Sequence, residues 1–333
     1  MRKRGCLLLL GWLLPMLAAA HHVTLEDGFY KMSHEWRYDD VRWSCHLSVP
    51  ANLYDYYQER THLGDEFVHY VLSDYDREII RQLVSSFRVG GEKWGLTEVG
   101  NVYNVITFVQ SLRYVLDSDS KGQEDYVRFP LETLVDGVGD CEDMAVLAAS
   151  ILYEMGYGVA LVSLPDHLAV AVKSEEDFPG TYYDYEGSKY YYLEMTNTGW
   201  DIGQVPPQFR GVPATLIPVV YQHHLRLERW SYQYDSYYMT DMTVPVTLEV
   251  TVMNVGPGVP EEMRLHAIVR FHESSDWVLY EHRFGLPSMD EGARATFQVV
   301  MPVPRPIKGV LELRLEGTGF EPTSTFVDGL DIQ

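Results

Sequence analysis

The stretch VDGVGDCEDMAVLAASILYEMG, residues 135–156, joins a glycine-rich turn to an apolar helix. Gly137 and Gly139 allow the backbone to turn tightly before the helix begins. Apolar side chains then recur at helical spacing at Met144, Ala145, Leu147, Ala148, Ile151, Leu152 and Met155. Because they cover almost the whole surface, a buried helix is predicted from about Cys141 to Met155, with Gly156 as its C-cap.

A cysteine therefore stands where the turn meets the buried helix. Asp140 is a good N-cap residue, and Asp143 three positions later resembles the partner in a capping box. Unpaired N–H groups and the helix dipole at this end favour a thiolate and can hold an oxyanion. The carboxylates of Asp140 and Glu142 oppose that effect. The arrangement indicates Cys141 as a candidate nucleophile.

A nucleophilic cysteine needs a base, and the base needs an orienting partner. His167 in SLPDHLAVAV begins a strand predicted over 167–173, after a strand over 159–164. Glu194 in YYYLEMTNTGW lies on a further strand predicted over 190–196, with a turn at 186–188 between the last two. Cys141, His167 and Glu194 can therefore form a catalytic triad.

Other interpretations of these side chains remain open. A histidine at a strand start is often structural, and Glu194 could be an ordinary strand carboxylate. Asp184 and Asp201 are competing acids for the third position.

The regions on either side of the motif differ in pattern. Two aromatic strands flank the turn Asp39-Asp40, a short helix follows Pro50, and amphipathic helices are predicted over 76–88 and 98–116. Packing within the strands is the favoured role of Trp36 and Trp43. The proline-rich segment 204–220 is predicted to be a linker or an extended arm. Beyond it, short alternating strands without helices predict an immunoglobulin-like β-sandwich.

Charge and the N-terminus bound the cellular context. The chain has 26 Lys and Arg against 48 Asp and Glu, a formal charge of −22, so nucleic acid and anionic membranes are not expected as partners. MRKRG followed by CLLLLGWLLPMLAAA is typical of a signal peptide over residues 1–20, cleaved before His21. The sequence thus predicts a secreted or cell-surface protein, with an uncleaved N-terminal anchor as the alternative.

Cysteines and histidines limit the remaining chemistry. After cleavage only Cys45 and Cys141 remain. Two free thiols are favoured over a Cys45–Cys141 disulfide, with Cys45 as a small core residue. The pairs His21-His22 and His223-His224 lack acids or cysteines at ligand spacing, so neither a metal nor a cofactor is predicted.

Residues 100–207, about a third of the chain, resemble a transglutaminase-like domain of the exported prokaryotic or archaeal type. GDCEDMAVL, DHLAVAV and the later Glu-Met-Thr carry this resemblance. It implies a papain-like core in which Cys141 is the nucleophile and His167 the base. Glu194-Met195-Thr196 stands where the family has an Asp-Pro-Thr-like string, so the acid is one methylene longer. The resemblance also suggests Gln110 as an oxyanion donor; a polar position on an amphipathic helix is the alternative.

These observations predict an α+β fold. An N-terminal α+β region over 21–99 packs on the core, which is the transglutaminase-like domain over 100–207. A linker over 208–234 leads to an all-β sandwich over 235–333. The expected function is an exported cysteine hydrolase or acyltransferase that acts on amide bonds of a protein or peptide, with the cell envelope as one source of substrate, through a thioester on Cys141. The alternative is an inactive cell-surface binding protein on the same scaffold. A structural protein with the disulfide is a third possibility.

Overall fold

The computed structural model describes residues 20–60, 62, 66–123, 125–234, 242–273, 276–318, 320 and 322–332. Apart from Ala20, the predicted signal peptide lies outside these residues. Within the described part of the chain, no helix combines the length and the apolarity needed to cross a bilayer. Helices and mainly antiparallel strands form an α+β unit, which is followed by an all-β unit.

The α+β unit opens with a three-stranded antiparallel meander of β1 (Ala20–Glu26), β2 (Phe29–Tyr38) and β3 (Val41–Pro50). Alternate residues of β2 and β3 point inward, as period-two patterning predicts. Trp36 and Trp43 are buried and stack with ring centroids 6.2 Å apart. The two tryptophans therefore serve strand packing, as predicted.

Seven helices follow the meander in the described residues, interrupted by two short strands. They are α1 (Ala51–Glu59), α2 (Phe67–Val71), α3 (Arg77–Trp94), α4 (Glu98–Gln110), α5 (Asp117–Ser120), α6 (Pro130–Asp136) and α7 (Cys141–Glu154). Apart from α5, whose sequence is DSDS, they contribute apolar side chains that join the inward face of the meander in one core that reaches Val219. The region 21–99 thus packs on the rest of the unit, and the two share one core.

The helix predicted over 98–116 is shorter than expected. α4 ends at Gln110, and Arg113–Tyr114 form β4, which pairs in parallel with β5 (Val138–Gly139). The N–H of Val115 donates to the carbonyl of Gly139 at 2.9 Å. Pairing with the turn before α7 therefore replaces the last predicted helical turns.

A five-stranded sheet in the order β10-β6-β7-β9-β8 covers α7. Its strands are β6 (Val159–Leu164), β7 (His167–Lys173), β8 (Tyr182–Tyr185), β9 (Ser188–Leu193) and β10 (Thr215–Pro218). β6 and β7 have the predicted bounds. The turn predicted at 186–188 joins β9 to β8, a strand the sequence analysis missed. The predicted linker contributes β10, because its backbone pairs with the open edge of β6.

The all-β unit consists of two sheets, β11-β12-β15 and β14-β13-β16-β17, that share one apolar core. The strands are β11 (Leu225–Tyr234), β12 (Thr243–Asn254), β13 (Glu261–Arg270), β14 (Val278–Gly285), β15 (Arg294–Pro304), β16 (Ile307–Thr318) and β17 (Thr323–Ile332). β11 and β17 were not predicted. The unit begins at β11, so the segment 208–234 divides between the two units and is not a separate arm.

Glu291, between β14 and β15, joins the two units. Its buried carboxylate accepts hydrogen bonds from the Ser73 hydroxyl at 2.8 Å and the Asp74 N–H at 3.0 Å, and lies 3.3 Å from the Arg60 guanidinium. This contact fixes the all-β unit against the helices.

Candidate functional site

A cleft of about 460 Å³ lies at the N-terminus of α7 and brings together the three predicted triad residues. It is lined by Tyr114, Cys141, Asp166, His167, Glu194, Thr196, Asn197, Trp200, Pro206, Gln208 and Phe209. The competing acids lie elsewhere: Asp184 is exposed on β8, and Asp201 accepts a hydrogen bond from the Gln204 amide at 3.0 Å. Of the three acids considered, Glu194 alone lines the cleft.

Glu194, the first residue after β9, is a buried carboxylate with several donors. Its Oε1 accepts from the N–H of Met195, the N–H of Thr196 and the Thr196 hydroxyl at 3.0, 3.0 and 2.8 Å. Its Oε2 accepts from the Tyr192 hydroxyl at 2.7 Å and lies 3.2 Å from His167 Nε2. Burial alone would raise the pKa of Glu194, but His167 and the other donors lower it to about 2. Glu194 is therefore a fixed anion.

His167 is held by the turn before it, by Glu194 and by an aromatic ring. Pro165 and Asp166 join β6 to β7, and Asp166 has φ of 55°, the pattern of a type II turn. The Phe209 ring stacks on His167 with centroids 4.5 Å apart and planes 8° from parallel. Because Nε2 donates to Glu194, the neutral ring carries its lone pair on Nδ1.

Cys141 is the first residue of α7, and its thiol is engaged by a neighbouring carboxylate. The sulfur donates to Glu142 Oε2 at 2.9 Å, and the backbone N–H of Leu168, the residue after His167, acts on the thiol in the direction that lowers its pKa. Burial, followed by the charge and hydrogen bond of Glu142, raises the pKa of this thiol far above its usual range. The thiol is thus protonated in this structure and hydrogen-bonded to Glu142, not to His167.

Only part of the predicted capping arrangement forms. Asp140 occupies the N-cap position, and its N–H donates to Asp143 Oδ2 at 3.2 Å. Oδ1 of Asp140 is buried without a hydrogen-bond partner. Burial, then the charges of Asp143 and Glu142, raises the pKa of Asp140 to about 9. Asp143 therefore performs the expected support, whereas Asp140 is a buried, protonated acid at neutral pH.

Behind the first turn of α7, the fully buried Arg128 pairs with three aspartates. Its guanidinium donates to Asp117 at 2.7 Å, Asp136 at 3.1 Å and Asp143 at 2.5 Å. Its own N–H donates to Asp143 Oδ1 at 2.7 Å. Asp143 thereby links Arg128 to the backbone of the N-cap residue. Sequence analysis missed Arg128, since its three partners lie on different elements.

Gln110 has a different position from the one its suggested role requires. Its amide donates to the backbone carbonyl of Glu194 at 2.8 Å, and it is absent from the cleft lining. In this structure Gln110 supports the end of β9. The backbone N–H groups of the first turn of α7, where Cys141 lies, are the remaining candidate donors for an oxyanion.

Both described cysteines are free, and Cys45 is buried in β3. The disulfide alternative is therefore wrong, and the prediction that Cys45 is a small core residue is confirmed.

Two acidic groups border α7 with ligand atoms close enough to share a cation, Asp140–Cys141–Glu142 and Asp117–Asp140–Asp143. In the second group, Arg128 already neutralises Asp117 and Asp143.

Comparison with known proteins does not assign the chain to a family. No protein-family model and no curated protein match it. Among solved structures, ApaA from Bordetella pertussis is 16% identical and covers 33% of this chain and 94% of its own, with a TM-score of 0.23. A β-galactosidase from Bacteroides fragilis is 10% identical over 51% of this chain and 28% of its own, with a TM-score of 0.22. Likenesses this weak carry no functional argument.

Proposed function

We propose that this protein is a transglutaminase-like cysteine hydrolase or acyltransferase that acts on amide bonds of proteins or peptides. In this proposal the α+β unit is a papain-like core, and the all-β unit is an immunoglobulin-like accessory domain of an exported protein. The observation that carries the proposal is the Glu194–His167 pair in the cleft with Cys141, because a buried fixed anion orienting a histidine beside a thiol is the minimum for activating that thiol.

The chemistry follows from the ring nitrogens of His167. Nε2 donates to Glu194, so Nδ1 accepts the proton when Cys141 Sγ attacks the amide carbonyl carbon. The Glu194 anion stabilises the imidazolium that forms, and N–H groups at the α7 N-terminus face the developing oxyanion. The imidazolium then protonates the leaving amine as the C–N bond breaks, which leaves a thioester on Cys141. Water or a second amine releases the acyl group.

The resting state imposes a condition on this mechanism. The thiol proton is shared with Glu142, so the sulfur must leave that carboxylate before His167 can accept its proton. A substrate in the cleft would displace the thiol from Glu142 and exclude water from the reacting atoms.

The proposal is tested with a small activated ester, because the natural acyl donor is unidentified. Mixing the protein with p-nitrophenyl acetate should release p-nitrophenolate and add one acetyl group to Cys141, as read by intact mass and peptide mapping. His167→Ala should slow the acylation about 10²-fold or more, since a positioned base contributes that much. An unlabelled Cys141 in the intact protein would overturn the enzyme proposal. A fluorescent primary amine with casein then separates acyl transfer from hydrolysis.

One observation favours a second function, a non-catalytic binding protein. The raised pKa of Cys141 and its hydrogen bond to Glu142 describe an unreactive thiol. A binding protein predicts equally slow alkylation of Cys141 and Cys45 by iodoacetamide at neutral pH, unaffected by His167→Ala. An enzyme predicts faster labelling of Cys141 and a decrease with His167→Ala.

A further inference from the structure

The imidazole rings of His21 and His34 face each other on adjacent strands, outside the proposed catalytic cleft. The two residues are direct partners in the β1–β2 register, and their ring centroids lie 5.5 Å apart with planes inclined by 52°. His34 is 2% exposed and also contacts Trp36 and Phe108. The His21 ring packs on Gly137, where an added Cβ would lie 2.2 Å from Cδ2. Both rings are therefore fixed in position.

Hydrogen bonds determine the protonation of each ring. The Ser111 hydroxyl gives its one proton to the Phe108 carbonyl at 2.5 Å, so at His34 Nε2, 2.7 Å away, it can only accept. His21 Nε2 lies 3.3 Å from the Val135 carbonyl, which also only accepts. Each neutral ring therefore has its proton on Nε2 and a bare lone pair on Nδ1.

The two Nδ1 atoms are both buried and have no hydrogen-bond partner among the described residues. A buried acceptor without a hydrogen bond costs free energy and is uncommon in proteins. Two such acceptors on neighbouring rings are therefore unusual. Within the described residues, no hydrogen bond uses either of these two lone pairs.

This arrangement has the features of metal-binding histidines. Such residues donate one ring N–H to an oxygen, which fixes the tautomer, and present the other nitrogen to the ion. Ser111 and the Val135 carbonyl supply those oxygens here. We propose that Nδ1 of His21 and Nδ1 of His34 together bind one Cu(I) ion.

The small number of ligands favours copper over zinc. Structural zinc sites have four protein ligands. In the described residues, no histidine, cysteine, aspartate or glutamate side chain lies at ligand spacing from both rings to serve as a third ligand. Cys45 is buried and is the register partner of His34 on β3. A low-coordinate imidazole site in apolar surroundings suits monovalent copper among the biological cations.

The experiment is a competition for Cu(I) under anaerobic conditions against the chromophoric chelator bicinchoninate, with the protein purified after export. The wild-type chain should withhold one equivalent of copper. His21→Phe and His34→Phe keep an aromatic ring and remove the ligand, and each should weaken binding about 100-fold or more. His22→Phe is the matched control, because His22 neighbours His21 but is exposed.

Circular dichroism checks that each variant folds. If His34→Phe is unfolded, His21→Phe decides alone, since β1 lies at the edge of its sheet. If the wild-type chain withholds no copper from bicinchoninate, the proposal is overturned. So would unchanged affinity in the folded His21→Phe variant. X-ray absorption of the copper complex should show nitrogen neighbours from two imidazoles, and a sulfur neighbour would contradict the ligand set.

Discussion

Two groups of carboxylates border the first turn of α7, one behind it around Arg128 and one in front of it around Cys141. Behind the helix, Asp117, Asp136 and Asp143 share a single buried guanidinium. In front, Glu142 faces a thiol and Asp140 has a buried oxygen without a partner.

The two groups therefore have different roles: the rear group supports the backbone, and the front group contains the candidate reactive side chains. The rear group has a cation for its acids and fixes the backbone at Asp140 through Asp143. In the front group, burial, followed by the charges of neighbouring acids, raises the pKa values of Asp140 and Cys141. Groups with strongly shifted pKa values, such as Asp140 and Cys141, are candidates for exchanging protons during a reaction.

The largest expected effect is on the front group. Cys141→Ala removes the proposed nucleophile, and acyl transfer from p-nitrophenyl acetate should fall at least about 10⁴-fold, the usual loss for a triad nucleophile. Because the residue is small and at a helix start, the unfolding midpoint in urea should be nearly unchanged. Cys45→Ala is the control and should retain activity. Equal acyl-transfer rates in Cys141→Ala and wild type would show that the reaction does not take place in the cleft.

The next largest effect is expected at Glu194. Three donors hold Oε1, so in Glu194→Gln the amide oxygen stays there and the NH₂ group faces His167 Nε2. Nε2 must then accept, which moves the ring proton to Nδ1 and blocks uptake of the thiol proton. We expect a loss of about 10²–10⁴-fold in the acylation rate. Asp201→Asn, outside the cleft, should have no effect, and the opposite ranking of the two variants would reassign the acid.

The rear group predicts a change in stability. Arg128→Met leaves the buried Asp117 and Asp143 without their cation, which should lower the free energy of unfolding by about 3–5 kcal/mol in a urea titration. Arg81→Met is the matched control: its ion pair with Glu154 is also short, at 2.7 Å, but the Arg81 side chain is 54% exposed. The control should change stability by about 1 kcal/mol or less. Similar values for both variants would contradict the support role of Arg128.

The smallest effect concerns the pH dependence of the thiol. Glu142→Gln removes the charge that helps to raise the pKa of Cys141. Iodoacetamide reacts with the thiolate, so lowering that pKa increases the labelling rate at pH 8, by about 10-fold for one unit. The wild-type rate should still be rising above pH 9, and the rise should come earlier in the variant. Glu154→Gln, at the far end of α7, should follow the wild type. A slower Glu142→Gln variant would show that the carboxylate assists the thiol.

Much of the fold was predictable because the buried side chains of a helix or strand recur at a regular spacing along the sequence. Apolar spacing placed α7 to within a residue, and the bounds of β6 and β7 were predicted correctly. α4 was extended too far because helical periodicity gives no sign of the parallel pairing between β4 and β5. β10 was assigned to a linker because its prolines obscure a strand that only the free edge of β6 makes possible.

The sequence by itself determined the turn, the buried helix with Cys141 at its start, and the histidine at the start of β7. It placed Glu194 on a strand over 190–196, whereas β9 ends at Leu193 and Glu194 follows it. Those features depend on side-chain type and on spacing along one element, which a linear pattern records. Only the tertiary structure decided that the thiol lies against Glu142, that Arg128 neutralises the acids behind it, and that Gln110 supports β9. It also decided that His21 and His34 share a strand register with two unpartnered nitrogens. Those outcomes depend on which elements meet and on which atoms remain without partners, and neither is encoded by local periodicity.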